Sequence, residues 1–369
     1  MPNLNLKNFA KIKDSDFDIQ DITVFAGKPG SGKSYIMKML YALDETPSKV
    51  TSEIKYAKVQ LSNITKKHGK TSEINTEELT KDEISEIKSL LRKIESLDTF
   101  MIKNDKVLLQ SYKNILESIF GSIEQISSAF SVNHTDVKLD YSNKNLSVEL
   151  IDNEDEIIDS VVFVETPLIL EFKQFMNRRE GKTPYHIESL LNILDKDYSF
   201  SDEEQDEFIK SFVEKSRKII KGNIEDRGNS FIFKTDDNKN YDIINASSGI
   251  KSIGLLQYLV TNKALKKGST LFWEEPEVHL HPTWQLKMID LFIELMNAGV
   301  KIVFSTHSPF MADYLNAKAT REKFGERISF NLLNEKEGVV SNTILNDENW
   351  NLLQDELMGA FEDIMWQYL

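Results

Sequence analysis

The eight residues Gly27-Lys28-Pro29-Gly30-Ser31-Gly32-Lys33-Ser34 constrain this chain more than any others. Before them, residues 21–26 (DITVFA) are an apolar run that reads as a buried strand; after them, residues 35–43 (YIMKMLYAL) read as a helix. Strand, G-x-x-x-x-G-K-S, helix is a phosphate-binding loop in the setting that gives the pattern meaning. Gly27, Gly30 and Gly32 let the backbone wrap an anion with its N–H groups turned inward, and the helix N-terminus adds a favourable dipole. Lys33 is expected to reach the β- and γ-phosphates and the Ser34 hydroxyl to ligate Mg²⁺. With Tyr35, residues 27–35 form the candidate nucleotide-binding segment, and ATP and Mg²⁺ are the expected cofactors.

A second group of polar residues stands far downstream. Gly268-Ser269-Thr270 leads into the apolar strand Leu271-Phe272-Trp273, which ends in Glu274-Glu275-Pro276-Glu277. Carboxylates at the C-terminal end of a buried strand in a parallel sheet face the ligand crevice. Val278-His279-Leu280-His281-Pro282 follows, and Pro282 suits the first turn of a helix over 283–297. There Trp284, Met288, Leu291, Phe292 and Leu295 recur at helical spacing, and Gly299 ends the run. Residues 301–304 are the next strand, leading to Ser305-Thr306-His307-Ser308-Pro309. His279 and His281 read as packing before a proline rather than as a metal site, because no third ligand falls at matching spacing.

In this order the P-loop, a Ser247-Ser248-Gly249 turn, EEPE-x-HLHP and STHSP resemble the ATPase head of the ABC type. That class holds the SMC, RecF and OLD (overcoming lysogenization defect) proteins and many AAA-like ATPases of bacterial defence systems. The LHP after the paired glutamates, and STHSP, are similar to the OLD/RecF-like branch more than to transporter ATPases. Leu6-Lys7-Asn8-Phe9 followed by the acidic stretch 14–18 resembles the first hairpin of that branch. The motifs cover residues 1–45 and about 240–315. The resemblance implies an α/β fold, a P-loop NTPase of ABC-ATPase type. It implies that Glu274 takes the place of the Mg²⁺-organising aspartate, that Glu275 is the general base for the attacking water, and that His307 is the switch histidine sensing the γ-phosphate. It also implies that Ser247, Ser248 and Gly249, a degenerate signature before a helix over 250–265, complete the site of the opposite subunit, so that two heads pair around ATP. Gln60, after a possible strand at 54–59, is the candidate Q-loop residue. The chemistry agrees, since phosphoryl transfer needs charge neutralisation and an in-line water, and Lys33, Mg²⁺ on Ser34, Glu275 and His307 supply them.

The middle of the chain matches only in layout. Thr80-x-x-Glu83 is a capping box, and Ile84, Ile87, Leu91 and Ile94 follow it at 3–4 spacing. Leu108, Tyr112, Ile115, Ile119, Ile123 and Ile126 form the stripe of another helix. The two read as a helical hairpin without the sustained heptads of a long coiled coil, serving either packing or partner docking. The head is therefore assigned to residues 1–45 and 131–369, with 46–130 an inserted, mainly helical subdomain. Period-two alternation around 142–145 gives a β-hairpin, 160–164 a buried strand, and 186–194 and 201–221 helices. Residues 231–233 and 241–244 form a hairpin feeding the signature turn, and Trp350, Leu353, Leu357, Phe361, Ile364, Met365 and Tyr368 make a helical stripe packing on the head. Asp14, Asp16 and Asp18 lack the glycine and terminal glutamate of a calcium loop.

Composition narrows the partners. There is no cysteine, which excludes disulfides, zinc ribbons and thiol nucleophiles. No run spans a bilayer and no signal-peptide core opens the chain, so the expected location is the cytoplasm, with no membrane partner. Net charge is −14; residues 1–150 carry 21 basic and 21 acidic residues, so all of the excess lies beyond them. Nucleic acid is thus not indicated by charge, although the balanced N-terminal part leaves room for a local basic groove. Sixty residues follow the STHSP segment, which are expected to be too few for the TOPRIM nuclease of many OLD-like proteins. The expectation is an ATP-linked dimer acting through a separate effector protein, in anti-phage defence. Competing readings are a RecF/SMC-like DNA-clamping head, a transporter subunit, and a nucleotide-binding scaffold without turnover.

Overall fold

A computed structural model describes residues 3–49, 89, 105–135, 137–150, 160–173, 183–195, 203–228 and 230–368. The chain opens with β1 (Asn3–Phe9), β2 (Ile12–Asp18) and β3 (Ile22–Gly27), then α1 (33–49) and α2 (Asp105–Phe120). Strands β4 (Phe130–His134), β5 (Val137–Ser142), β6 (Asn145–Leu150) and β7 (Ser160–Val164) follow. Helices α3 (Ile169–Phe172), α4 (Tyr185–Asp195) and α5 (Glu203–Ile220) lead to β8 (Gly222–Asp226), β9 (Phe231–Thr235) and β10 (Asn240–Asp242). The last part runs α6 (Ser248–Thr261), β11 (Ser269–Trp273), α7 (Pro282–Asn297), β12 (Lys301–Thr306), α8 (Pro309–Glu322), β13 (Ile328–Lys336), β14 (Val339–Ile344) and α9 (Asn351–Tyr368).

Eleven strands form one sheet, ordered β6-β5-β4-β1-β2-β14-β13-β3-β12-β11-β7. From β13 to β7 every pair is parallel, and β3 and β11 are buried at every position. That is why these strands read as continuous apolar runs: helices cover both faces. From β6 to β2 the pairs are antiparallel, and β5 alternates buried and half-exposed residues, the pattern of a sheet with one wet face. The β5–β6 hairpin turns on Asn143 and Lys144, both at positive φ, which matches a two-residue type I′ turn.

The parallel strands split their side chains between two cores, as a period of two requires. Ile22, Val24 and Ala26 of β3 join one core, with Leu271, Trp273, Ile302 and Phe304 and the inner faces of α4 to α8. Phe25, Phe272 and Val303 point the other way, onto Ile36 and Leu40 of α1 and Tyr112 of α2. The second core continues under the antiparallel strands through Leu4, Phe17 and Leu139. β8, β9 and β10 form a small separate sheet, and α6 lies beside β8 with Ile224 filling the space over Gly254.

Three details differ from the sequence reading. The stripe from Leu108 to Ile126 is not one helix: α2 stops at Phe120, Gly121 takes φ +79°, and Ile123 and Ile126 are buried by a 3-10 turn at Ile123–Gln125. Ile243 and Ile244 leave the β9–β10 hairpin for another 3-10 turn, because Asp242 caps it by accepting from the Ile244 N–H. α6 ends at Thr261 rather than at residue 265. The Thr80 capping box, the stripe at 84–94 and Gln60 lie outside the described residues. Just ahead of α9, Trp350 packs edge-on against Phe330 and donates to Asp313, and Leu353 is fully buried. Among the described residues no helix is long and apolar enough to cross a membrane.

Candidate active site

Three neighbouring parallel strands, β3, β12 and β11, deliver their C-terminal ends to one place. β3 ends in the P-loop. Gly27, Gly30 and Gly32 have φ of 144°, 79° and 89°, values that an L side chain rarely adopts. At Gly27 space is also exclusive, since a Cβ there would lie 2.4 Å from the Leu333 carbonyl oxygen. Lys28, Pro29 and Gly30 are exposed, Ser31 is buried, and α1 begins at Lys33 with its first-turn N–H groups toward the loop. The Lys33 ammonium donates to the carbonyls of Gly27 (2.8 Å) and Lys28 (3.0 Å). Burial lowers its pKa to about 8, opposed by the nearby charges of Glu275, Glu277 and Glu274.

β11 supplies the acidic group. The Glu274 N–H donates to the Val164 carbonyl at 2.9 Å, extending the β11–β7 ladder by one residue. Burial raises the pKa of its carboxyl to about 7, with Lys38 and the nearby Ser34 hydroxyl opposing and Glu165 and Glu275 adding like charge. Glu275, although it precedes a proline, adopts φ 45°, a conformation that costs of order 1–3 kcal/mol in a non-glycine residue. There its N–H donates to Ser305 Oγ (3.2 Å) and its Oε1 lies 3.0 Å from His307 Nε2. Glu277 turns the other way and accepts from the His307 backbone N–H at 2.6 Å; burial raises its pKa. Burial lowers the pKa of His307 and Lys33 adds to this, while Glu275 and a hydrogen bond to the Gly27 backbone oppose. His307, at the end of β12, thus ties to the segment after β11 through both Glu275 and Glu277.

The donors suit a hard divalent cation. Glu274 Oε1 and Glu277 Oε2 are buried without a hydrogen-bond partner, and the Ser34 hydroxyl sits against the Glu274 carboxyl. Magnesium prefers such a set of one or two carboxylates, a hydroxyl and phosphate oxygens. Ser34 and Glu274 are the residues that would hold it.

Other candidates fall elsewhere. Ser247 is exposed and caps α6, its Oγ accepting from the Ile250 N–H, and Gly249 is buried where a Cβ would meet the Trp284 ring at 3.2 Å. Among the described residues no hydrogen bond joins 247–249 to 27–35 of the same chain. His281 Nδ1 accepts from the Thr283 N–H as the cap of α7. Asp14 and Asp16 both accept from the Asn5 amide.

Two groups here escaped the sequence reading. Glu165 directly follows β7, and its carboxylate takes a hydrogen bond from the His186 ring (2.8 Å) and an ion pair from Lys38 of α1 (3.1 Å). The His186 bond and Lys38 hold its pKa at about 2 against burial, whereas burial lowers the His186 pKa. The strand-end rule that singles out Glu274 also applies to Glu165, after residues 160–164. Lys38 lies one helical turn beyond Ser34.

The family model described as an AAA ATPase domain matches residues 1–312, a span that holds the P-loop, both strand-end glutamates and His307. No curated protein matches the chain. Among solved structures, the SMC head domain from Thermotoga maritima is 12% identical with a TM-score of 0.45, over 93% of this chain and 98% of that one. The Smc head domain with an extended coiled coil, derived from Pyrococcus furiosus and bound to the C-terminal domain of ScpA, is 13% identical with a TM-score of 0.46, over 97% of this chain and 100% of that one. An ATP-binding cassette of an ABC transporter in its ADP conformation is 12% identical with a TM-score of 0.39, over 97% and 95%. At such identities and scores these are similarities and carry no functional argument.

Proposed function

We propose, from the premise that the chain belongs to the AAA ATPase domain family, that it is an ATPase head of the ABC type whose copies close on ATP and open after hydrolysis. The observation that carries this reading is the convergence of Lys33 and Ser34, Glu274 and Glu275, and His307 at three adjacent strand ends, with Glu275 3.0 Å from His307. Lys33 and the α1 N-terminus bind the β- and γ-phosphates. Bound Mg²⁺, on Ser34 and Glu274, supplies charge neutralisation. Glu275 takes the proton of the attacking water, and His307 holds Glu275 while sensing the γ-phosphate.

Dimerisation is supported by the signature turn. Ser247 and Ser248 sit at the start of α6, exposed and half-exposed, and form no bond to their own P-loop among the described residues. N–H groups at a helix start suit a phosphate presented by a second copy. We assign residues 1–45 and 131–369 to this head and 46–130 to an insertion. The OLD/RecF-like motifs support a further step, in which the closed dimer acts on a separate effector protein in bacterial anti-phage defence.

Light scattering on full-length Glu275→Gln tests the cycle. With Mg·ATP its mass doubles, and adding Ser248→Arg abolishes the doubling while ATP still binds. A protein that stays monomeric with ATP bound contradicts the dimer. A pull-down of the same Glu275→Gln protein from its host then tests the effector. A stoichiometric protein supports that step, whereas nucleic acid released by salt, with no protein, argues instead for a DNA-clamping head.

A further inference from the structure

One helix reaches the P-loop from far downstream in the chain. α9 packs on β3 and on α8, the helix that starts just after His307. Three neighbouring residues anchor it there. The Trp350 indole donates to Asp313 of α8 at 3.0 Å, the Gln354 amide donates to the same carboxylate at 2.6 Å, and Leu353 is fully buried. Glu356 comes three residues after Leu353, so the helical period places it on the same inward face.

There the Glu356 side chain is only 13% exposed. Its Oε2 accepts from the Asn334 amide of β13 at 3.2 Å. Its Oε1 lies 3.5 Å from the ammonium of Lys28, the residue that follows Gly27 in the P-loop. A carboxylate thus stands fixed beside a loop whose glycines and N–H groups suit an anion. Phosphate binding does not call for it, since a second anion near a triphosphate repels it. Lys28, by contrast, is free to change partners. Its side chain is 58% exposed, and its flexible four-carbon stem lets the ammonium swing while the loop stays in place. Its backbone carbonyl accepts from Lys33 at 3.0 Å, so both lysines of the loop are turned onto protein oxygens.

We propose that Glu356 is an autoinhibitory counter-ion of the P-loop. It holds the Lys28 ammonium on α9 until a triphosphate draws that cation to itself, so ATP binds against the carboxylate and the docking of α9 sets the affinity of the site. The inference rests on the P-loop reading above and adds to it a regulator carried by a distant helix of the same chain.

Equilibrium binding of Mg·ATP to the full chain, in a cycle of wild type, two single variants and the double variant, decides it. Glu356→Gln removes the charge but keeps an oxygen for Asn334, so α9 is expected to stay docked. It tightens Mg·ATP by about two- to fivefold at low salt, the range of one partly exposed ion pair. The gain shrinks at about 0.5 M salt, where charges are screened over a few ångströms. A purely structural role for Glu356 gives the opposite sign, weaker binding in the same variant. Lys28→Met weakens Mg·ATP, and in its background Glu356→Gln changes affinity by less than about 1.5-fold. Unchanged or weaker binding in Glu356→Gln overturns the proposal and leaves the P-loop reading intact. A gain that persists in full with Lys28→Met also overturns it, because the carboxylate then acts without Lys28. A wild type that binds no Mg·ATP overturns both readings.

Discussion

At the scale of single residues, burial sets the behaviour of the ionisable groups in and near the site. Glu45 of α1 is the clearest case away from the chemistry. It is buried, and although Tyr185 donates to it at 2.9 Å and Lys49 and Ser189 also help, desolvation, aided slightly by Asp44, lifts its pKa from 4.5 to about 7. The folded state therefore holds a proton that the unfolded chain has released. Stability from this group is full below pH 4.5 and is lost as pH rises toward and through 7. Glu45→Gln is expected to raise stability at pH 8 by about 1–3 kcal/mol and to change it little at pH 4.5, read from urea unfolding at the two pH values. Equal effects at both would show that packing, and not ionisation, governs the position. Glu275 is the opposite kind of residue: exposed enough to reach a water, and held at φ 45° by its neighbours rather than by its own preference.

At the scale of elements, the strands that make the site were legible because they are buried on both faces. Residues 22–26, 161–164, 271–273 and 302–304 are apolar apart from Thr23, and each lies in a parallel strand. Their polar ends bring Lys33, Ser34, Glu274, Glu275 and His307 to neighbouring strand ends. The sequence hid what depends on contacts between distant segments. Glu165 meets Lys38 and His186 only because β7 lies beside β11 and α4 packs onto it. The stripe through Leu108 and Ile126 kept its period across a glycine, so pattern alone ran α2 nearly two turns too far. The α9 region illustrates an element whose docking can be measured. Leu353 is fully buried against the core of the parallel strands, while Leu352 beside it is 40% exposed. Leu353→Ala is expected to cost about 2–5 kcal/mol, and Leu352→Ala no more than about 0.5 kcal/mol, by chemical denaturation. Similar values for both would mean that α9 does not dock by this face.

At the scale of the whole molecule, one sheet joins two lobes with different tasks. In the proposed reading the parallel half carries the phosphate and water chemistry, while the antiparallel half, reached across β14, lines a cavity on the other side of the P-loop. The signature turn makes no hydrogen bond to the P-loop among the described residues, and the proposed reading has a second copy bring it there. The central claim is that Glu275, positioned by His307 and Ser305, is the base of an ATPase reaction whose binding step does not need it. Phosphate release by full-length wild type and Glu275→Gln, with ATP affinity measured on the same samples, tests this most directly. The account predicts that affinity stays within a few-fold while turnover falls by about 10²–10⁴. Turnover unchanged in Glu275→Gln, with ATP still bound, would contradict it.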